Sequence, residues 1–169
     1  MRVSYKGLIL AGLQLLLVAS LGAKLLIDRA TLPRVWVKAA PYDPNLPIRG
    51  RYLSLLLEVQ TPPGLLPATY SGVRATLRVE NNHLIAVPAE YNQDGVLISS
   101  WKPRSPDVPA IVTLLEPVAF FIREHIQDPS RRPRGEELWV EVTVPKKGPP
   151  RPIRLGIKKD GVFTPLSLN

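Results

Sequence analysis

Glu137-Leu138-Trp139-Val140-Glu141-Val142-Thr143-Val144 decides the fold. Leu138, Val140, Val142 and Val144 alternate with mostly polar neighbours, the period of a strand that buries one face. Trp139 falls on the polar face. Val73-Arg74-Ala75-Thr76-Leu77-Arg78-Val79 repeats the pattern, and Ile153-Arg154-Leu155-Gly156-Ile157-Lys158 is a third case. From Arg51 to Gln60, Leu53, Leu55, Leu57 and Val59 share one face. Tyr52 and Leu56 lie on the other, so this strand is expected to be covered on both sides.

Turn residues punctuate these runs. Asp94-Gly95 and Asp160-Gly161 are two-residue hairpin signals, since a type I′ turn needs positive φ at both central residues. Asn81-Asn82 is expected to turn Val79 back into Leu84-Ile85-Ala86-Val87, and Lys146-Lys147-Gly148-Pro149-Pro150 joins two further strands. Proline-rich stretches at 61–67 and 102–109 belong between strands or at edges, because proline cannot donate to a ladder. Val118 to Gln127 reads as strand in its first half, with a turn near His125. The total is eight or nine short strands and no 20–50-residue repeat. The predicted fold class is mainly β: one N-terminal transmembrane helix followed by a single small antiparallel β barrel or sandwich.

The N-terminus differs in composition. All 19 prolines of the 169-residue chain lie at Pro33 or beyond. Arg2 and Lys6 precede Gly7 to Ala23, which carries no charge, and Leu25-Leu26-Ile27 continue past Lys24. As a helix, residues 7–27 measure about 30 Å, the thickness of a hydrocarbon core. Lys24 sits near one end, where its stem can snorkel, and Gln14 offers a hydrogen bond to a partner helix. The expected organisation is an anchor over residues 1–30 and a β domain over 31–169. A short basic leader before an apolar run favours the N-terminus inside. The expected location is then a bacterial cytoplasmic membrane, single-pass, with the C-terminal domain outside the cytoplasm. A cleaved signal peptide is the competing reading: Val18-Ala19-Ser20 supplies small residues, but inside the apolar run.

Charge narrows the partners. The chain holds 22 Lys+Arg against 14 Asp+Glu, a net charge of +8, with two His and no Cys. A disulfide scaffold, a thiolate metal site and a cysteine nucleophile are excluded. Nine cations cluster late in the chain: Arg131, Arg132, Arg134, Lys146, Lys147, Arg151, Arg154, Lys158 and Lys159. Only Glu136, Glu137 and Glu141 oppose them, an excess of six. One reading is a solvated edge that discourages aggregation. The sharper one is contact with anionic lipid headgroups, worth about 1 kcal/mol per cation, or with a membrane protein partner. No nucleic acid is expected, because aromatic residues are not interleaved with these cations along the sequence.

Tyr42-Asp43-Pro44-Asn45-Leu46-Pro47-Ile48-Arg49-Gly50-Arg51-Tyr52-Leu53-Ser54-Leu55-Leu56-Leu57 resembles the signature of the GDYXXLXY family of membrane-anchored bacterial proteins. Asp43, Pro44, Arg49, Gly50, Tyr52 and Leu55 match. Arg51 stands where the family has Asp, and Leu57 where it has its final Tyr. Phe121-Ile122-Arg123-Glu124 looks like the family's later aromatic-to-Glu segment, and Asp160-Gly161 with Leu166 like its closing hairpin. The resemblance implies an anchored β domain, with Asp43, Pro44, Arg49, Gly50, Arg51, Tyr52, Leu55 and Glu124 as structural or binding residues. It implies no activity, and the reversed charge at Arg51 removes any chemistry that needs the family's carboxylate. Read physically, Asp43-Pro44 suits an Asx turn and Gly50 a bulge before a strand.

No catalytic or metal-binding residues and no cofactor are predicted. His83 and His125 are isolated, and no Ser sits in a nucleophile elbow. Ser99-Ser100-Trp101-Lys102 holds the residue types of a serine–lysine hydrolase, but adjacency does not supply facing-strand geometry. The predicted function is therefore a non-enzymatic interaction or assembly module of the bacterial envelope. The alternatives are an envelope hydrolase of serine–lysine or serine–histidine type, or a signal-cleaved secreted β protein.

Overall fold

The computed structural model describes residues 5–42, 52–63, 72–90, 94–99, 108–123, 126, 128–130 and 132–167. The chain divides into two compact units, Met1–Leu32 and Pro33–Asn169.

The first unit is one helix, α1 (Tyr5–Thr31), with no buried residue. It is long and apolar enough to span a membrane. Its two aliphatic hydroxyls are satisfied internally: Ser20 Oγ donates to the Leu17 carbonyl and Thr31 Oγ1 to the Ile27 carbonyl, both at 2.8 Å. Such bonds remove the penalty a bare hydroxyl carries in an apolar medium. Pro33 disfavours helical geometry at Leu32 and stops the helix there.

The second unit is all strand and connection. Among the described residues it holds ten strands, more than the eight or nine expected: β1 (Arg34–Pro41), β2 (Tyr52–Thr61), β3 (Val73–Glu80), β4 (His83–Pro88), β5 (Val96–Ile98), β6 (Ala110–Thr113), β7 (Val118–Phe121), β8 (Glu136–Thr143), β9 (Arg151–Lys159) and β10 (Val162–Pro165). β7 is the strand expected in the first half of Val118 to Gln127, whereas short β5 and β6 carry too few residues to show a period.

The sheet runs β10-β9-β8-β1-β2-β4-β3-β5, with β6 and β7 also on β2. It is open and mixed, sandwich-like rather than a closed barrel. All pairings are antiparallel except β2 with β4, which meet in parallel at Gln60 and Ile85. Strand β2 belongs to both halves. Leu55–Leu57 lie beside β1 and Tyr52–Leu55 beside β7, while Glu58–Thr61 lie beside β6. β6 and β7 thus act as one interrupted strand along β2, and Leu114 N–H donates to the Leu57 carbonyl across the interruption. A bridge between Ile98 and Leu114 brings β5 beside the end of β6.

Strict alternation along β2 buries Leu53, Leu55, Leu57, Val59 and Thr61. The first four join Val35, Val37, Ile98, Val112, Leu114, Leu138, Val140, Val142 and Leu155 in one hydrophobic cluster. Tyr52 and Leu56, on the other face, are half-buried, as expected of a strand covered on both sides.

Two of the expected hairpins form. Asn81 and Asn82 have φ of 48° and 61°, and Asp160 and Gly161 of 49° and 81°, the left-handed pairs a type I′ turn requires. Glu80 faces His83 and Lys159 faces Val162 across them. Asp94-Gly95 is not a two-residue hairpin: β5 follows it and pairs with β3, not with β4. Gly95 is needed for closeness instead, because a Cβ there would lie 2.8 Å from the Ala75 carbonyl oxygen. The third alternating run contains a bulge: Glu141 faces Arg154 but Val142 faces Pro152, leaving Ile153 as the extra residue. Pro152, which lacks an N–H, sits where the ladder is already broken.

Candidate functional site

Most of the expected signature lies outside the described residues: Asp43, Pro44, Arg49, Gly50, Arg51 and Glu124. Its described members pack. Leu55 is fully buried in the core. Tyr52 faces Phe121 across β2–β7, with ring centroids 6.1 Å apart. Phe121 is 76% exposed.

The cations are sorted by register. β1, β8 and β9 turn one face to the core and the other outward, and β10 extends the sheet with all four residues exposed. The outward face carries Trp36 and Lys38 from β1, Glu137, Trp139 and Glu141 from β8, Arg154, Gly156 and Lys158 from β9, and Phe163 from β10. Trp36 lies opposite Glu141, and Lys38 opposite Trp139. Arg154 Nε donates to Glu141 Oε2 at 2.7 Å, and its guanidinium lies 5.8 Å from the Trp36 ring centre. Lys158 Nζ stands 5.3 Å from the Trp139 ring centre. Trp139 Nε1 donates to Glu137 Oε2 at 3.3 Å. Trp36 and Phe163 meet edge to face at 4.6 Å over Gly156, where a Cβ would lie 2.6 Å from Phe163 Cζ.

Electrostatics hold this ladder. Lys38 Nζ donates to Glu137 Oε1 at 2.8 Å and lies 4.0 Å from Glu58. That hydrogen bond lowers the Glu137 carboxyl below its ordinary range and raises the Lys38 ammonium. Glu141 raises the Arg154 guanidinium in the same way. The Glu141 side chain is 8% exposed against 55% for Arg154, so the carboxylate is the desolvated partner. At the sheet end, Glu136 receives Lys159 at 3.4 Å and Arg132 at 3.8 Å. Arg132 Nε also donates to the Pro129 carbonyl at 2.6 Å.

β10 pairs with Gly156–Lys159 of β9, so Lys158 lies on the face of a covered strand stretch, while Arg151 and Arg154 lie beyond that pairing. Aromatic rings absent from between them in sequence are interleaved by the register. Trp36, Lys38 and Phe163 were not among the expected site residues. Their signal is the alternation Val35-Trp36-Val37-Lys38, which puts a ring and a cation on one face. Arg131 lies outside the described residues, and Arg134, Lys146, Lys147 and Arg151 are exposed away from this ladder.

Ser99, Ser130 and His83 carry the following hydrogen bonds. Ser99 Oγ accepts the Thr113 N–H at 3.0 Å. Ser130 donates its N–H and hydroxyl to Asp128 Oδ1 at 2.8 and 2.7 Å. His83 Nδ1 lies 2.8 Å from the Asn81 carbonyl oxygen. Ser100, Lys102 and His125 lie outside the described residues. No His, Asp and Glu grouping suited to a metal occurs among the described residues. Comparison with protein families, with characterised proteins and with solved structures finds no match.

Proposed function

We propose that this chain is a single-pass membrane protein of a bacterial cytoplasmic membrane, similar to GDYXXLXY proteins, with residues 7–27 in the bilayer. The N-terminus is inside. The β domain stands outside the cytoplasm as a non-enzymatic interaction or assembly module of the envelope. The observation that carries the reading is the wholly exposed apolar surface of α1, from Leu8 to Ile27, beside a β unit with its own core. Exposed apolar surface of that extent needs a cover, and a bilayer is the cover its length fits. The outward face of β1-β8-β9-β10 supports the module role. It presents Trp36, Trp139, Phe163 and Arg154, residue types enriched in protein contact surfaces, and its two glutamates offset two of its three cations.

Alkaline extraction of membranes, with protease added to spheroplasts, tests the anchoring. Retention in the membrane with digestion of the β domain is expected. A mature N-terminus near Leu21 or Lys24, or release by alkali, overturns it. Co-purification after gentle solubilisation tests the module: a stable companion lost on a Trp139→Ala/Lys158→Ala double substitution is expected, and the absence of any companion refutes it.

A further inference from the structure

We infer that α1 pairs in the bilayer with α1 of a second copy of this chain, the two Gln14 side-chain amides bonding to each other across the contact. The inference rests on the anchored reading above and on α1 alone. Ser20 and Thr31 bond back to the Leu17 and Ile27 carbonyls. Tyr5, Lys6, Lys24, Asp28 and Arg29 stand at or near the ends of the apolar stretch. Gln14 differs from all of these. Its side-chain amide has two N–H donors and an acceptor oxygen, is exposed, and makes no hydrogen bond to any described residue. Along the helix axis it lies about 10 Å from Gly7 and about 20 Å from Ile27. The side chain is shorter than either distance, so it does not reach the headgroups as Lys24 does. The hydrocarbon holds no water to serve instead. A second helix supplies the missing partner.

Complementarity selects a second copy over a helix of another protein. Copies inserted in the same sense lie parallel, so residues of equal number lie at equal depth and Gln14 meets Gln14. A primary amide is its own complement: each donates an N–H to the other's carbonyl oxygen, and a two-fold contact satisfies both at once. The surrounding pattern fits such a pair. Gly7, Ala11, Gln14, Val18, Leu21 and Leu25 recur at alternating steps of four and three, the period of helices that wind round each other with a left-handed supercoil. Gly7 and Ala11 let the backbones approach beside the amides. A Cβ on Gly7 would meet nothing within 4 Å, so packing inside the chain gives no reason for its absence. Gly12 has equal space but lies about 160° round the helix from Gln14, away from the hydrogen-bonding group.

The chain has no cysteine, so Val18→Cys, on the side of Gln14, and Leu16→Cys, on the opposite side, each give the full-length protein a single thiol. The purified chain is reconstituted in phosphatidylcholine vesicles and oxidised with copper phenanthroline. A disulfide-linked dimer is expected at position 18 and not at position 16. Gln14→Leu keeps the helix apolar and should lower the cross-linked fraction about five-fold, Gln14→Asn, which keeps an amide, should retain most of it, and Gly12→Leu should leave it unchanged. Equal cross-linking at both positions, cross-linking at neither, no loss with Gln14→Leu, or an equal loss with Gly12→Leu overturns the pair. A chain that stays monomeric in vesicles but holds a different membrane protein in extracts, and releases it on Gln14→Leu, also overturns the second copy and gives the amide to another protein's helix. Alkaline extraction of the same vesicles reports separately on the anchor: a chain retained but not cross-linked keeps the anchor and loses the pair, and one released by alkali loses the anchor.

Discussion

Gly156 shows how much one missing Cβ determines on the outward face. Two aromatic rings from different strands close over it, so Gly156→Ala pushes Phe163 off Trp36. A loss of about 1–2 kcal/mol in thermal or urea unfolding is expected. The loss should shrink in a Phe163→Ala background, because the two sites couple through contact. Glu141 is sensitive in another way: Arg154→Met leaves its desolvated carboxylate without the guanidinium. A lower unfolding midpoint is expected, with a larger drop than for Lys147→Met at the exposed Asp94 pair, where solvent screens both charges. The Lys38–Glu137 bond makes stability depend on pH. Glu137, lowered by that bond, contributes above its unfolded pKa and loses the contribution as pH falls through the folded value. Lys38, raised by it, contributes below its unfolded pKa and loses the contribution as pH rises through the folded value. Both groups are about two-fifths exposed, so each limb is small, about 0.5 kcal/mol after screening. Glu137→Gln should flatten the acid limb in a pH series of unfolding midpoints by lowering neutral stability about as much as acid removes from the parent chain.

At the scale of elements, turn chemistry and alternation were legible and long-range register was not. Asn81-Asn82 already adopts the left-handed pair, and glycine is the cheaper second residue there. Asn82→Gly is therefore expected to raise the melting temperature slightly and Asn82→Val to lower it, by about 1 kcal/mol. The runs of β3, β8 and β9 announced themselves because apolar and polar residues alternate along each. Asp94-Gly95 carried the same dipeptide signal as a hairpin, yet Gly95 serves a close approach of β5 to β3. No local pattern encodes which backbone a glycine must meet. Gly95→Ala should loosen this pairing specifically, read as faster hydrogen exchange at Val96–Ile98 with β8 and β9 unchanged. The basic cluster was likewise visible as a count. The pairing of Arg154 with Glu141 and the stacking of Lys158 on Trp139 follow from strand pairing across β8 and β9.

On the scale of the whole molecule, the two units ask different things of their surroundings. The β unit closes its own core around β2, where Leu55→Ala is expected to cost about 2–5 kcal/mol and to expand the domain. α1 has no such interior. Leu16→Arg, near its middle, should reduce membrane retention after alkaline extraction, since a central arginine costs about 2.5–3.5 kcal/mol in insertion. The same substitution should leave the unfolding midpoint of the β unit unchanged.

The position of β1 has a mechanical consequence. The chain enters the β unit through an interior strand, flanked by β2 and β8, rather than through a peripheral one. A pull transmitted along that strand runs perpendicular to its cross-links, which share the load together in shear instead of parting in sequence like a zipper. A body attached this way withstands drag at its point of attachment, and the strand most exposed to being peeled off, β10, is the one the tether never loads.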